Sequence, residues 1–350
     1  MIKVVYILIF FSFVSVTSWL EKCNPAKEPY SICGIPEDTI VLNTQAEVDS
    51  FQLSLPTGCN CFRGMIRLQG NKINDVSKLS FLRGVGQLEF LQFTSQSELT
   101  GFDKLDTVYQ NLSVNSSSID SIKAFKELRY IGGYLIFSRL EKTKIIEGLE
   151  KLMHSRHIVF SSNNHLNSLP SFSSLKNVEV SIYVSDNPKL VKVDGFQNLD
   201  SVKTFVKIRQ NQNLKSINGF NKMKFAGSLT IELNEKLEQI SGFKSFLEGY
   251  GINISQNLRL EEINAFSNMT KIEGNGLFLR QNPFLKSVVG FNSLKSISRA
   301  IEIHNNSSLK TCCPLFSAIQ NFSPDARVVI FENGSGCLSR EEILETGKCL

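Results

Sequence analysis

No cysteine lies between Cys61 and Cys312, so no disulfide can staple residues 62–311, and their fold must rest on non-covalent contacts. Histidine is scarce, with only His154, His157, His165 and His304. The signatures G-x-S-x-G, H-E-x-x-H and the phosphate loop are absent. Carboxylates are dispersed along the chain rather than gathered. An enzyme is therefore not expected, and neither is a cofactor or a metal site. Charge of one sign is never concentrated: 38 Lys and Arg are interleaved with 33 Asp and Glu, for a net charge of +5. That pattern fits a solvated surface and argues against a nucleic-acid groove. After the first residues no apolar run approaches the roughly 20 residues that span a bilayer. The C-terminus also lacks the hydrophobic tail of a lipid-anchor signal.

What is present begins with Lys3, the apolar run Val4 to Val16 and the small residues Val16-Thr17-Ser18. These read as a signal peptide over 1–18, with Trp19 as the first mature residue and secretion as the destination. Eight cysteines suit that oxidising compartment. Cys23, Cys33, Cys59 and Cys61 precede the central region, and Cys312, Cys313, Cys337 and Cys349 follow it. Pairing within each group is expected. Adjacent Cys312 and Cys313 bond each other only at high strain, so each should reach Cys337 or Cys349. N-x-S/T acceptors stand at Asn111, Asn115, Asn253, Asn268, Asn305, Asn306, Asn321 and Asn333, which makes a glycoprotein of a secreted chain.

The central region repeats. Asn163, Asn187, Asn211, Asn234, Asn257, Asn282 and Asn306 follow one another at 23 to 25 residues, each three residues after an apolar x apolar pair and three before a leucine. A second series sets a small residue before a large apolar one, as in Gly101-Phe102, Ala124-Phe125, Gly195-Phe196, Gly219-Phe220, Gly242-Phe243 and Gly290-Phe291. Such a period means stacked coils. Apolar spacings of two and three suit short strands and tight turns better than helices. The expected fold is mainly β: a right-handed parallel β-solenoid of about ten coils of 23–25 residues, disulfide-capped at both ends. Residues 19–58 are assigned to the first cap and 314–350 to the second. The repeats divide into halves at 59–168 and 169–313. The copy at 139–150 is the most degenerate, because Leu140 replaces the asparagine, and a bend or seam is expected there.

Each repeated residue has a physical reason. Backbone groups that leave a ladder at a bend need partners, and an inward amide supplies two donors and an acceptor. The seven asparagines should therefore form an internal ladder, which makes Asn306 a poor glycan acceptor and Asn305 the better one. Coils about 4.8 Å apart place equivalent phenylalanines in a column. The small residue before each ring points to limited room, since alanine and serine also occur there.

The repeat resembles leucine-rich repeats, although leucine follows asparagine by three residues here instead of two. The longer gap, the Gly-Phe element and the cysteine-flanked ends resemble the receptor L domain, the ligand-binding lobe of insulin and epidermal growth factor receptors. One stretch carrying the likeness begins Cys59-Asn-Cys61-Phe-Arg-Gly64-Met-Ile66-Arg-Leu68 and includes Leu128-Arg-Tyr-Ile131-Gly-Gly-Tyr-Leu135. Another ends Ile301-Glu-Ile303-His-Asn-Asn306-Ser-Ser-Leu309-Lys-Thr-Cys312. The whole is similar to the secreted nematode proteins with insulin- and growth-factor-receptor-like L domains. No cysteine-rich module separates the halves and no kinase or membrane span follows. The resemblance implies a binding module without its own effector, whose partner is an extracellular peptide hormone, a growth factor or a receptor ectodomain. A structural or adhesive matrix glycoprotein is the alternative. Outward strand positions supply the candidate contacts: Tyr183, Arg209, Glu232, Phe278, Arg280 and His304. His154 and His157 read as surface residues.

Overall fold

The computed structural model describes residues 31–94, 97–322 and 327–347. The signal-peptide assignment, Cys23 and Cys349 lie outside them. The chain is mainly β, with 41% strand and 10% helix, and forms a parallel β-solenoid of about 12 turns. Its main sheet takes one strand from each coil, running from Thr39–Thr44 and Cys61–Lys72 through Tyr130–Ser138, His154–Ser161, Asn177–Ser185 and Ser201–Arg209 to Ala300–Asn306 and Arg327–Asn333. Every pairing in it is parallel.

Two coils more than the expected ten come from the segments assigned to caps. Thr39–Thr44 pairs with the strand at Cys61–Lys72. At the other end Arg327–Asn333 pairs with Ala300–Asn306. The caps proper are short helices. Gln45–Ser54 starts with a capping box, in which Thr44 accepts from the Glu47 N–H and Glu47 accepts in return from the Thr44 N–H. It buries Val48 and Phe51 against the first coils. Arg340–Thr346 buries Ile343 at the far end. The disulfides Cys33–Cys59 and Cys312–Cys337 flank the stack, each within its own group as expected, and Cys312 reaches Cys337. Cys61 and Cys313 are disulfide-bonded as well.

The asparagine ladder is internal: all seven side chains are fully buried. From Asn187 onward each Oδ1 accepts from the backbone N–H and the Nδ2 of the asparagine one coil earlier, as when Asn211 gives to Asn234 at 3.1 and 3.2 Å. Each Nδ2 also reaches back to a strand carbonyl of the preceding coil and mostly to one of its own, as from Asn211 to Val184 at 3.1 Å and to Arg209 at 2.9 Å. The spacing of three to leucine is a turn, because the leucine N–H returns to the asparagine carbonyl, as in Leu214 to Asn211 at 3.0 Å. The F-x-x-L segment closes the same way, with Met223 N–H on the Phe220 carbonyl at 3.0 Å.

The ladder continues past both of its expected ends. Asn333 is the eighth rung, accepting from the Asn306 N–H at 3.1 Å and giving to the carbonyls of Ile303 and Cys337. Upstream, Leu140 still sends its N–H to Asn163 Oδ1 at 3.1 Å. Two coils before Asn163, the Ser117 hydroxyl replaces an amide and accepts from the Phe93 N–H.

The expected seam at 139–150 is not in the main sheet, which crosses this region without interruption. The smaller, second-side ladder breaks instead. It runs through Ile145–Glu147 and resumes at Lys192–Val193. The coil between contains Leu169-Pro170, and proline has no N–H to give to a ladder.

Phe172, Phe196, Phe220, Phe243, Phe266 and Phe291 stack with centroids 4.9–5.4 Å apart. Room is tight beside them. A Cβ on Gly290 would sit 1.8 Å from the Ala265 carbonyl oxygen. In three of these coils the phenylalanine itself is left-handed, at φ 62° for Phe220, 56° for Phe243 and 66° for Phe266.

Two predictions follow from this packing. Asn234→Leu removes the side-chain acceptor of the Asn211 N–H and Nδ2 and the side-chain donor to the Ile208 carbonyl, while the Glu232 carbonyl keeps the Gln210 N–H, at about 1–3 kcal/mol per group left buried without a partner. Chemical denaturation should show a loss of several kcal/mol, whereas Asn213→Ala, outside the ladder, should cost well under half as much. Gly290→Val should be destabilising by at least ~2 kcal/mol, because it must push two coils apart; an unchanged melting temperature would contradict the close approach.

Candidate functional site

The face of the main sheet presents four outward columns. Two of them hold the six candidate contacts in register: Tyr183, Lys207, Thr230, Asn253, Phe278 and Glu302 form one, and Ser185, Arg209, Glu232, Ser255, Arg280 and His304 the other. Their charged members are occupied with each other. Glu232 takes Lys207 at 3.2 Å and Arg209 at 3.5 Å. Arg280 lies 5.0 Å from the Phe278 ring centroid and bonds Glu302 and Asn253 Oδ1, each at 3.2 Å. Glu302 is nearly buried and also pairs with Arg327. The His304 ring stacks on Phe331 at 4.7 Å. A partner would have to break these contacts before using Arg209, Glu232 or Arg280. That end of the face is thus a self-paired network rather than a set of free anchors, although Arg209 Nε is buried without a hydrogen bond.

The accessible aromatic surface lies on the upstream part of the face, from the strand Tyr130–Ser138 to the strand Ser201–Arg209, where only Tyr183 had been singled out as a contact. Tyr130 and His154 stack at 4.7 Å with rings 8° apart. Tyr134 and His157 stack at 4.0 Å and 4°. The His157 column continues through Ser181 to Phe205. Beside it Ile136, Val159 and Tyr183 are neighbours on adjacent strands, all half-buried. Tyr134 and Phe205 are 41% and 36% exposed, the most open of the set. His154 and His157 share the face despite standing three apart, because the register shifts between Ser155 and His157. Opposite them the neighbouring strand carries Gly132-Gly133, and a Cβ on Gly132 would meet the Tyr109 carbonyl oxygen at 2.0 Å. That irregularity hid the patch from the sequence, since strict alternation would put one of the two histidines inside. The paired glycines were the available signal.

Electrostatics keep the patch neutral. Burial pushes both imidazoles below their usual range; the Arg156 guanidinium acts in the same direction, and Glu179 opposes it. Glu179 Oε2 lies 3.3 Å from Arg156 Nε and 3.9 Å from His154 Nε2. His157 Nδ1 is 2.9 Å from the Ser181 hydroxyl.

The glycan acceptors divide by position. Asn268 and Asn321 are exposed, and Asn111, Asn115, Asn253 and Asn305 are half-buried. Asn306 is a ladder rung, as expected. Asn333, expected as an acceptor, is corrected: its Nδ2 is buried against two carbonyls and cannot carry a sugar in this fold. No N-x-S/T triplet occurs between Asn115 and Asn253, the interval that holds the whole aromatic patch.

Among the described residues no group of three or more His, Cys, Asp or Glu is placed to hold a metal ion, and no helix is long and apolar enough to cross a membrane. No family model matches this chain, and no curated protein and no solved structure matches it either.

Two measurements check this site. An imidazole with a lowered folded pKa favours the fold while neutral. That contribution is present above the unfolded value near 6.5 and is lost as pH falls from there to the folded value. Stability should therefore decline on acidification below about pH 6.5, and the His154→Gln, His157→Gln double variant should show a shallower decline. Peptide mapping of glycans on chain produced in a secretory system should find Asn306 and Asn333 unmodified; occupancy at either would contradict their burial.

Proposed function

We propose that this chain is a secreted, non-catalytic binding protein, whose sheet face captures a peptide hormone or growth factor or docks on an insulin- or epidermal-growth-factor-type receptor. The observation that carries the reading is the patch built on Tyr130, Tyr134, Ile136, His154, His157, Val159, Tyr183 and Phe205. It is aromatic and aliphatic, partly open and held on a parallel sheet, with the acceptor Asn111 at its upstream border, where the Asn111 Oδ1 takes the Tyr134 N–H at 2.9 Å. Interface anchors are enriched in such side chains. Solenoids commonly recruit partners along an extended face. The likeness of the repeat to receptor L domains supports the same choice of partner.

The binding partner would meet Tyr134 and Phe205 first and bury their remaining surface. The charge networks at Glu232 and Glu302 would border the contact as a polar rim. The test is capture of signalling proteins and receptor ectodomains on the purified chain, followed by titration of any that are retained. Tyr134→Ser and Phe205→Ser should each weaken binding at least ten-fold, the ~1.4 kcal/mol expected of a partly buried anchor, with melting temperature unchanged. Retention of no signalling protein, or full binding by both variants, would remove the proposal. Concentration-dependent self-association without partner capture would favour the matrix-protein alternative.

A further inference from the structure

The last strand of the main sheet, Arg327–Asn333, has one edge on the strand Ala300–Asn306, and among the described residues no strand pairs with the other edge. Arg327 gives its N–H to the Arg299 carbonyl at 3.0 Å. In a parallel ladder alternate residues turn both backbone groups to the same neighbour. Arg327, Val329 and Phe331 therefore serve the preceding coil, and the N–H and carbonyl groups of Val328 and Ile330 point to the open edge. The side chains of these two residues continue the inward columns of Ile301 and Ile303. Ile301 and Ile303 are fully buried, whereas Val328 and Ile330 are only half-buried. The stack thus ends on an unpaired strand whose core-facing side chains are partly open.

Natural edge strands are usually blunted by lysine, proline or a bulge. None of these interrupts residues 327–331, which read Arg-Val-Val-Ile-Phe and keep register with the preceding strand at every position. The opposite end of the stack differs. Register shifts between Leu42 and Thr44 there, and the helix Gln45–Ser54 follows directly. One clean edge per chain favours a closed pair of copies over an open series of them.

The strand is also complementary to itself. A twofold axis normal to the sheet keeps outward side chains beside outward ones and inward beside inward. Centred on Val329, it sets Val328 opposite Ile330 of the second copy, so the residues with free backbone groups exchange N–H···O bonds. Their side chains then close the open core ends of both stacks together. On the outward face Val329 meets its own copy, and Arg327 lies across from Phe331, a cation facing a ring. The Phe331 ring is stacked on His304 and 41% exposed, and the Arg327 side chain is 69% exposed beside Glu302. Centring on Ile330 instead would set Val328 against Glu332, a charged residue that has left the extended conformation at φ 52°.

We infer that two copies of this chain join edge to edge through residues 327–331, antiparallel about a twofold axis at Val329. Both outward faces then look the same way, and the pair displays two aromatic patches on one continuous sheet. The pairing uses no patch residue and stands or falls independently of the function proposed for the patch. A closed dimer also differs from the open-ended association of a matrix protein.

Sedimentation equilibrium of the full chain across concentration tests it. An equilibrium between monomer and dimer, with nothing larger, is expected. Val328→Pro removes an N–H that points to the open edge and serves no ladder bond within the chain. Val329→Lys sets two like charges together on the axis. Each should weaken dimerisation by at least about ten-fold, and melting curves matching the parent at concentrations where it is monomeric will show that the variants fold. An equimolar mixture of Val329→Lys and Val329→Glu should recover a dimer that neither forms alone, because a residue on the axis meets its own copy. A monomer at every concentration, growth beyond the dimer, dimers undiminished by both edge variants, or a mixture that fails to associate would overturn the assignment.

Discussion

The architecture depends on one exchange: an asparagine carbonyl oxygen that serves the coil before it while its amide nitrogen serves carbonyls of that coil and mostly of its own. In each rung the acceptor is shared by the backbone and side chain of the previous rung. A bend that would otherwise strand polar groups in the core becomes a continuous polar line at zero exposure. The constraint is severe. Any residue without both an acceptor and two donors leaves something unpaired, which explains why the sequence keeps asparagine through seven coils. The solutions at the ends show how far the rule bends. Ser117 provides only a hydroxyl, and Leu140 accepts nothing, but each stands where the neighbouring coil still satisfies the backbone.

The ladder also fixes what the surface can be. Because each coil is locked to the next at the same atom, strand positions fall into straight columns, and a side chain is displayed beside its equivalents in the neighbouring coils. On the sheet face this converts scattered residues into stacks: tyrosine on histidine, lysine and arginine around glutamate. Just beyond the strands, the residue before each asparagine takes the left-handed conformation, so Gln210, Leu233, Gln256 and Gln281 fall in one line. The candidate binding surface on the sheet face is therefore a consequence of the same internal register.

Much of this was legible in the sequence. The asparagine period gave the solenoid, the burial of Asn306 and the two C-terminal columns of the face, because each depends only on counting in a regular repeat. Misreadings arose where the count breaks or its chemistry is disguised. Asn333 looked like a glycan acceptor because residues 307–332 hold a short helix and a disulfide that dilute the period before its last rung. Thr39–Thr44 escaped notice because Gln45 stands where the repeat expects its asparagine, three residues after Leu42. Leu140 suggested a seam, whereas the actual discontinuity is in the smaller sheet and comes from Pro170 one coil later. The aromatic patch was obscured by a single register shift beside Gly132-Gly133. Arg209 and Arg280 illustrate a different limit: sequence shows which side chains point outward, but not which of them are already paired.

Residue-resolved hydrogen exchange measures the central exchange directly. The backbone N–H of Asn187, Asn211, Asn234 and Asn257, each bonded only to the next amide side chain, should exchange as slowly as the strand N–H groups of Ile182–Val184, through global opening alone. Exchange of these four at the rate of the solvent-facing turn N–H groups would show that the rungs do not hold, and the columns built upon them would lose their basis.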